Sequence, residues 1–160
     1  VLPGEQIRAE ITADKGQFRR AKALAILTPN PQRAEPRCPY FGTCGGCHYQ
    51  HADYSYQVAQ KVEILRETLS RVGKIQPPNE IRTVIGPSYE YRNRVQLHVD
   101  KRKIGYHKLG SNDLLEIDQC PISSPKVQET IRTLRQMSRD RRWPNFLKSI
   151  EVFTNETEVQ

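Results

Sequence analysis

The sequence predicts an α+β protein in two parts. A short β-unit comes first, the remnant of a small barrel, and an α+β domain with an antiparallel sheet and two helices follows. Three observations predict it. Apolar residues alternate with polar ones in "EQIRAEI" and "VQLHVD", the period of a half-buried strand. They recur at steps of three and four between Val58 and Val72, and again between Val127 and Met137, the period of a helix. A proline-rich stretch, "PNPQRAEPRCP", divides the first alternating pair from the rest and marks a boundary between residues 1–29 and 30–160.

In the front unit, Ile7, Ala9 and Ile11 share one face and Gln6, Arg8 and Glu10 the other. "ADKGQFRR" is a basic turn around Gly16, and "AKALAILT" is the returning strand. Two strands cannot bury a core alone, and the chain opens without a Met, so part of the unit is expected to precede Val1. From Asp53 to Val72, the residues Val58, Val62, Leu65, Leu69 and Val72 form one stripe; Asp53 or Ser55 can cap its start and Gly73 can end it. "IRTVIG" reads as a short strand. "VQLHVD", with Val95, Leu97 and Val99 inward, and "KIGYHK" read as a hairpin around a charged tip, "DKRK". "DLLEI" is a strand leading into Cys120. Ser124 and Pro125 open a second helix whose buried stripe is Val127, Ile131, Leu134 and Met137, with Lys126, Arg132, Arg135 and Arg139 elsewhere. "LKSIEVFT" is a final strand, and Trp143 belongs to the core.

Charge and composition narrow the class. The 160 residues carry 25 Lys+Arg against 18 Asp+Glu, a formal charge of +7, with 36% hydrophobic residues. A basic balance favours a polyanionic partner. No apolar run reaches the length of a membrane span, and "VLPGEQIRAE" has neither the basic nor the apolar region of a signal peptide. A cytoplasmic, reducing setting is therefore expected, where clustered thiols bind metal more often than they pair.

The four cysteines carry the strongest signal. Cys38, Cys44 and Cys47 follow C-x5-C-x2-C spacing, and Cys120 stands far away in "IDQCPIS". Cys44 and Cys47 can meet through a tight C-G-G-C turn, Cys38 reaches them from a short loop, and Cys120 can close the set. Zinc sites usually draw on two C-x2-C-like pairs, whereas an iron–sulfur cube tolerates less regular spacing. Cys38-Pro39 and Cys120-Pro121 repeat a Cys-Pro pair that also occurs in ferredoxins. Iron–sulfur, zinc and two disulfides remain open from the residues alone, and stapling residues 38–50 to Cys120 is favoured over electron transfer. His48 and His51 flank the thiols and are expected to pack or hydrogen-bond rather than ligate.

In chain order, "LPGE" (Leu2 to Glu5), "P-x-C-P-x-F-G-x-CGGC-x-x-QH" (Pro36 to His51), Tyr54 with Gln57 and Lys61, "YRNR" (Tyr91 to Arg94) and "CPI" (Cys120 to Ile122) resemble the N-terminal portion of the RNA uridine-5-methyltransferases. The resemblance covers nearly the whole chain. It implies that residues 1–29 are the back half of a TRAM domain, an OB-like RNA-binding barrel. It implies that residues 30–160 form a central RNA-binding domain holding a 4Fe–4S cluster on Cys38, Cys44, Cys47 and Cys120, which favours iron over zinc. It also implies a Rossmann-like domain that binds S-adenosylmethionine, with a cysteine nucleophile and a carboxylate base. These 160 residues contain no glycine-rich strand-to-helix turn and no fifth cysteine, so no catalytic or S-adenosylmethionine-binding residue is assigned to them and the fragment alone is expected to be inactive. Ribosomal RNA is favoured over transfer RNA. A free-standing RNA-binding scaffold and an electron-transfer protein are the competing classes.

Six residues are expected to touch RNA. Arg92 and Arg94 lie two apart in "YRNR" and would share a strand face beside Tyr91, combining stacking with charge. Lys15, Arg19 and Arg20 crowd the front turn, where OB-like barrels use basic loops on nucleic acid. The "RDRR" at 139–142 follows a helix end, where positive charge also suits the dipole.

Overall fold

A computed structural model describes all residues from Val1 to Gln160. Strands β1 (Gln6–Asp14) and β2 (Arg19–Thr28) form an antiparallel ribbon. Helix α1 (Tyr54–Glu67) and a π-helical turn (Thr68–Val72) follow. The rest comprises β3 (Arg94–Asp100), β4 (Lys103–His107), β5 (Leu114–Glu116), helix α2 (Pro125–Met137) and β6 (Ser149–Phe153). The four later strands make one antiparallel sheet in the order β5-β4-β3-β6. The expected α+β class, with two helices and antiparallel sheets, is what forms.

The core sits between this sheet and α2. Val95, Leu97 and Val99 alternate inward from β3, and Ile104 from β4 and Val152 from β6 join them. Helix α2 supplies Val127 and Ile131, both fully buried. Trp143 closes one side and donates its indole N–H to the Lys101 carbonyl at 3.1 Å. Each large apolar side chain buried this way stabilises the fold by roughly 1.5–3 kcal/mol. Gly105 is required in β4, because a Cβ there would overlap the Leu115 carbonyl oxygen of β5.

Several expectations are corrected. The stripe on α1 is not a core face: the helix contains no buried residue, and Leu65 remains 44% exposed. The helical pattern also does not run unbroken to Val72. The Thr68 hydroxyl donates back to the Ile64 carbonyl at 2.7 Å, and the Gly73 N–H reaches the Thr68 carbonyl five residues earlier, widening the last turn. "IRTVIG" forms no strand, because no neighbouring strand pairs with it, and Val84 and Ile85 are exposed. Met137, the last residue of the α2 stripe, faces solvent. Asp53 and Ser124 stand at the helix starts, but neither side chain makes a capping hydrogen bond.

The front ribbon is exposed on both faces along most of its length. Its base is held by Glu5. That carboxylate accepts from the Leu2 N–H at 2.8 Å, the Asn30 N–H at 3.2 Å and the Arg33 guanidinium, one contact of which is 2.7 Å. The "LPGE" motif thus clamps the ribbon to the segment that enters the cysteine loop. No helix is long and apolar enough to cross a membrane.

Candidate functional site

Two backbone seams and a tyrosine hydroxyl bring the cysteine-bearing segments together. In the loop, the Cys44 N–H donates to the Tyr40 carbonyl at 2.8 Å, and Gly42 takes φ 82°, which favours glycine. The Gly46 N–H points at Cys44 Sγ, 3.4 Å away, as a C-G-G-C turn permits. The loop then zips onto the end of β4: the Gly45 N–H donates to the His107 carbonyl at 3.1 Å and the Leu109 N–H to the Thr43 carbonyl at 2.8 Å. A second seam fixes Cys120. The Glu90 N–H donates to the Pro121 carbonyl at 3.0 Å and the Arg92 N–H to the Ile122 carbonyl at 2.8 Å. Between the two, the Asp118 N–H donates to the Tyr40 hydroxyl at 3.0 Å.

All four sulfur-bearing residues line one cavity of about 250 Å³ as a result. All four are free thiols, so the two-disulfide alternative is not what forms. No group of three His, Cys, Asp or Glu side chains is arranged to hold a single metal ion in this structure. Burial pushes the Cys38 and Cys44 thiols up from their ordinary value, and the neighbouring thiols add to the shift. Arg92 pulls Cys44 the other way. Arg92 and Lys108 both line the cavity, where positive charge favours thiolate, the form that ligates.

The chemistry of the wall fits a sulfur-bound inorganic centre. Gln50 Nε2 is a buried donor without a partner, and the buried Tyr106 hydroxyl faces the Cys120 thiol and Ser123; both residues line the cavity. Groups of this kind satisfy themselves on sulfur or on a bound group. Burial also pushes the Tyr106 phenol up, keeping it a donor. Sequence reasoning missed Tyr106, Tyr40, Lys108 and the inward face of Arg92; each is brought to the site by pairing between distant segments, which leaves no local pattern.

His51 is half-buried and lines a different cavity, its ring 5.4 Å from that of Phe41, and His48 is exposed; neither lines the thiol cavity. The basic residues do not form one face. Strand β3 begins only at Arg94, so the two-residue period does not extend back to Arg92. Arg92 is half-buried on the thiol cavity, while Arg94 is exposed and paired to Glu151 at 2.7 Å. Tyr91 is exposed. Lys15, Arg19 and Arg20 sit together at the tip of the β1–β2 ribbon, where Arg19 pairs with Asp14 at 2.8 Å.

No family model matches the chain. It is 39% identical over 142 residues to a Thiobacillus denitrificans protein named 23S rRNA (uracil(1939)-C(5))-methyltransferase RlmD, a match covering 85% of this chain and 33% of that one. A Bordetella avium protein of the same name is 35% identical over 161 residues, covering 97% of this chain and 34% of the relative. The chain therefore spans about a third of the length of the curated relatives it matches. Among solved structures, it resembles the Pyrococcus abyssi tRNA (uracil-54, C5)-methyltransferase in complex with S-adenosyl-L-homocysteine. The TM-score is 0.63 at 24% identity, over 99% of this chain and 38% of that one, a likeness of fold.

Proposed function

We propose that this chain, which matches about a third of the length of the 23S rRNA (uracil(1939)-C(5))-methyltransferases, is the RNA-recognition and 4Fe–4S-binding region of an S-adenosylmethionine-dependent enzyme of this kind, acting on 23S rRNA. The observation that carries the reading is the meeting of four thiols, three from one loop and one from a distant segment, on a single cavity. Cys38, Cys44, Cys47 and Cys120 would hold the cluster, which would cross-link the cysteine loop to the end of the sheet. Gln50 and Tyr106 would donate hydrogen bonds to its sulfurs, and Arg92 and Lys108 would offset its negative charge.

Residues 1–29 are read as part of a TRAM-like barrel and residues 30–160 as the central domain. Tyr91, Arg94, Lys15, Arg19 and Arg20 are the solvent-facing candidates for RNA contact. No S-adenosylmethionine site and no catalytic nucleophile is assigned to these residues, because all four cysteines serve the cavity. The methyl-transfer step is placed outside them, and the chain alone is expected to bind RNA without methylating it. A tRNA substrate is the second reading, favoured by the likeness to the Pyrococcus abyssi fold.

Anaerobic purification tests the cluster. The expected outcome is a brown protein with about four irons and four acid-labile sulfides per chain. Cys120→Ala should lose both. A colourless, zinc-loaded protein would overturn the iron–sulfur assignment. Affinity for a 23S rRNA fragment carrying the target uridine, compared with a tRNA, decides between the two RNA readings.

A further inference from the structure

Beside the thiol cavity, and sharing the cysteine loop as one wall, lies a second cleft of about 450 Å³. The cysteine loop, the start of α1 and residues 88–91 enclose it. Its volume falls in the range of roughly 300–1,000 Å³ typical of small-ligand pockets. We infer that this cleft binds an unpaired nucleobase of RNA, stacked among tyrosines; the inference rests on the RNA-recognition reading given above and deepens it.

The lining has the chemistry of a base-binding pocket. Tyr49 and Tyr91 stand at it with 38% and 52% of their surfaces exposed, and Tyr89 lies deeper. The Arg37 guanidinium carbon is 4.4 Å from the Tyr89 ring centroid, and Lys61 Nζ is 5.9 Å from that of Tyr49. Neither cation takes part in any ion pair of the structure, so both are available to the phosphates that flank a base. Glu35 and Asp53 also line the cleft, which makes it nearly charge-balanced. A balanced, aromatic cleft is a poor groove for a run of phosphates and a good one for a planar, polar ring.

Gln50 stands in the wall that the cleft shares with the thiol cavity. It is 8% exposed and lines the cleft; its Oε1 accepts the Cys38 N–H at 3.2 Å, and its Nε2 has no partner. A buried amide donor on the wall of an aromatic cleft matches a carbonyl oxygen or ring nitrogen on a base edge. Because Gln50 lines the thiol cavity as well, the tyrosines and not the amide carry the test.

Fluorescence anisotropy at low salt with two probes decides the matter: a short single-stranded oligoribonucleotide, and an abasic oligomer with the same phosphates. Tyr91→Ala and Tyr49→Ala are each expected to weaken binding of the base-bearing oligomer by about tenfold, the order expected for losing one stack. Binding of the abasic oligomer should stay the same, and the salt slope should not change, since no phosphate contact is lost. Tyr91→Phe should retain affinity, because the ring face and not the hydroxyl stacks. Both tyrosines are partly exposed, so the variants are expected to fold, which circular dichroism checks. If the tyrosine variants bind both oligomers as the parent does, or lose both equally, the nucleobase pocket is wrong while the RNA-recognition reading stands; the unchanged result would fit a cleft that takes a protein segment. If the parent protein binds neither oligomer, the RNA reading fails and the pocket with it.

Discussion

Glu5 shows how much one carboxylate can organise. Its hydrogen bonds to Arg33, Leu2 and Asn30 hold it well below the usual carboxylate range, from 4.5 to about 2. A depressed carboxylate stabilises the fold at every pH above its unfolded value and loses that contribution as pH falls through its folded value. Protection of the β1–β2 ribbon amides, measured as exchange relative to the intrinsic rate at each pH, is therefore expected to fall as pH drops from about 4.5 towards 2, and Glu5→Gln should lower it at neutral pH and remove that fall. Unchanged protection across that range would mean the clamp does not hold the ribbon. Gly105 gives a sharper case. Gly105→Ala drives a methyl into the Leu115 carbonyl, and thermal or denaturant unfolding should show a loss of about 3 kcal/mol. Neither residue announces its role in the sequence: "LPGE" matches a family motif without saying what the glutamate binds, and Gly105 looks like any glycine in a strand.

The two helices show why periodicity alone does not locate a core. Both carry apolar residues at helical spacing, yet only α2 buries its stripe, through Val127 and Ile131. Helix α1 sets its start beside the cysteine loop and residues 88–91 but buries no residue against the sheet or α2, and Arg66 ties the following loop through the Pro78 and Asn79 carbonyls, both at 2.8 Å. Ile131→Ala should cost about 2–5 kcal/mol in denaturant unfolding, while Leu65→Ala, already partly in water, should cost less than about 1 kcal/mol. Equal losses would show that α1 is packed in solution as α2 is. The strands that alternate, β3 above all, were legible because a buried face and a solvent face leave opposite marks on neighbouring residues. "IRTVIG" departs from its expected strand for the complementary reason: strand-forming residues become a strand only when another segment offers hydrogen bonds.

At the scale of the whole molecule, the cysteine loop, the end of β4 and the segment before β3 converge on one cavity, so a centre bound there would be a long-range cross-link. Treating the protein with a chelator that removes the proposed cluster is expected to lower the melting temperature of the parent and to leave Cys120→Ala, which would lack the staple, unaffected. An equal shift in both would assign the effect to the chelator. The basic charge of +7 predicts RNA affinity that falls with salt, and replacing Lys15 and Arg20 together should flatten that slope by up to about 2. The α+β class, the ribbon, the core strands and the identity of the four thiols were legible before any fold was known, because periodicity and residue chemistry are written locally. Tertiary pairing alone settles that those thiols share a cavity, that Arg92 turns inward while Arg94 pairs outward, and that four tyrosines line one cleft. Those outcomes depend on backbone seams between segments far apart in the chain, and no single segment records which distant partner it will meet.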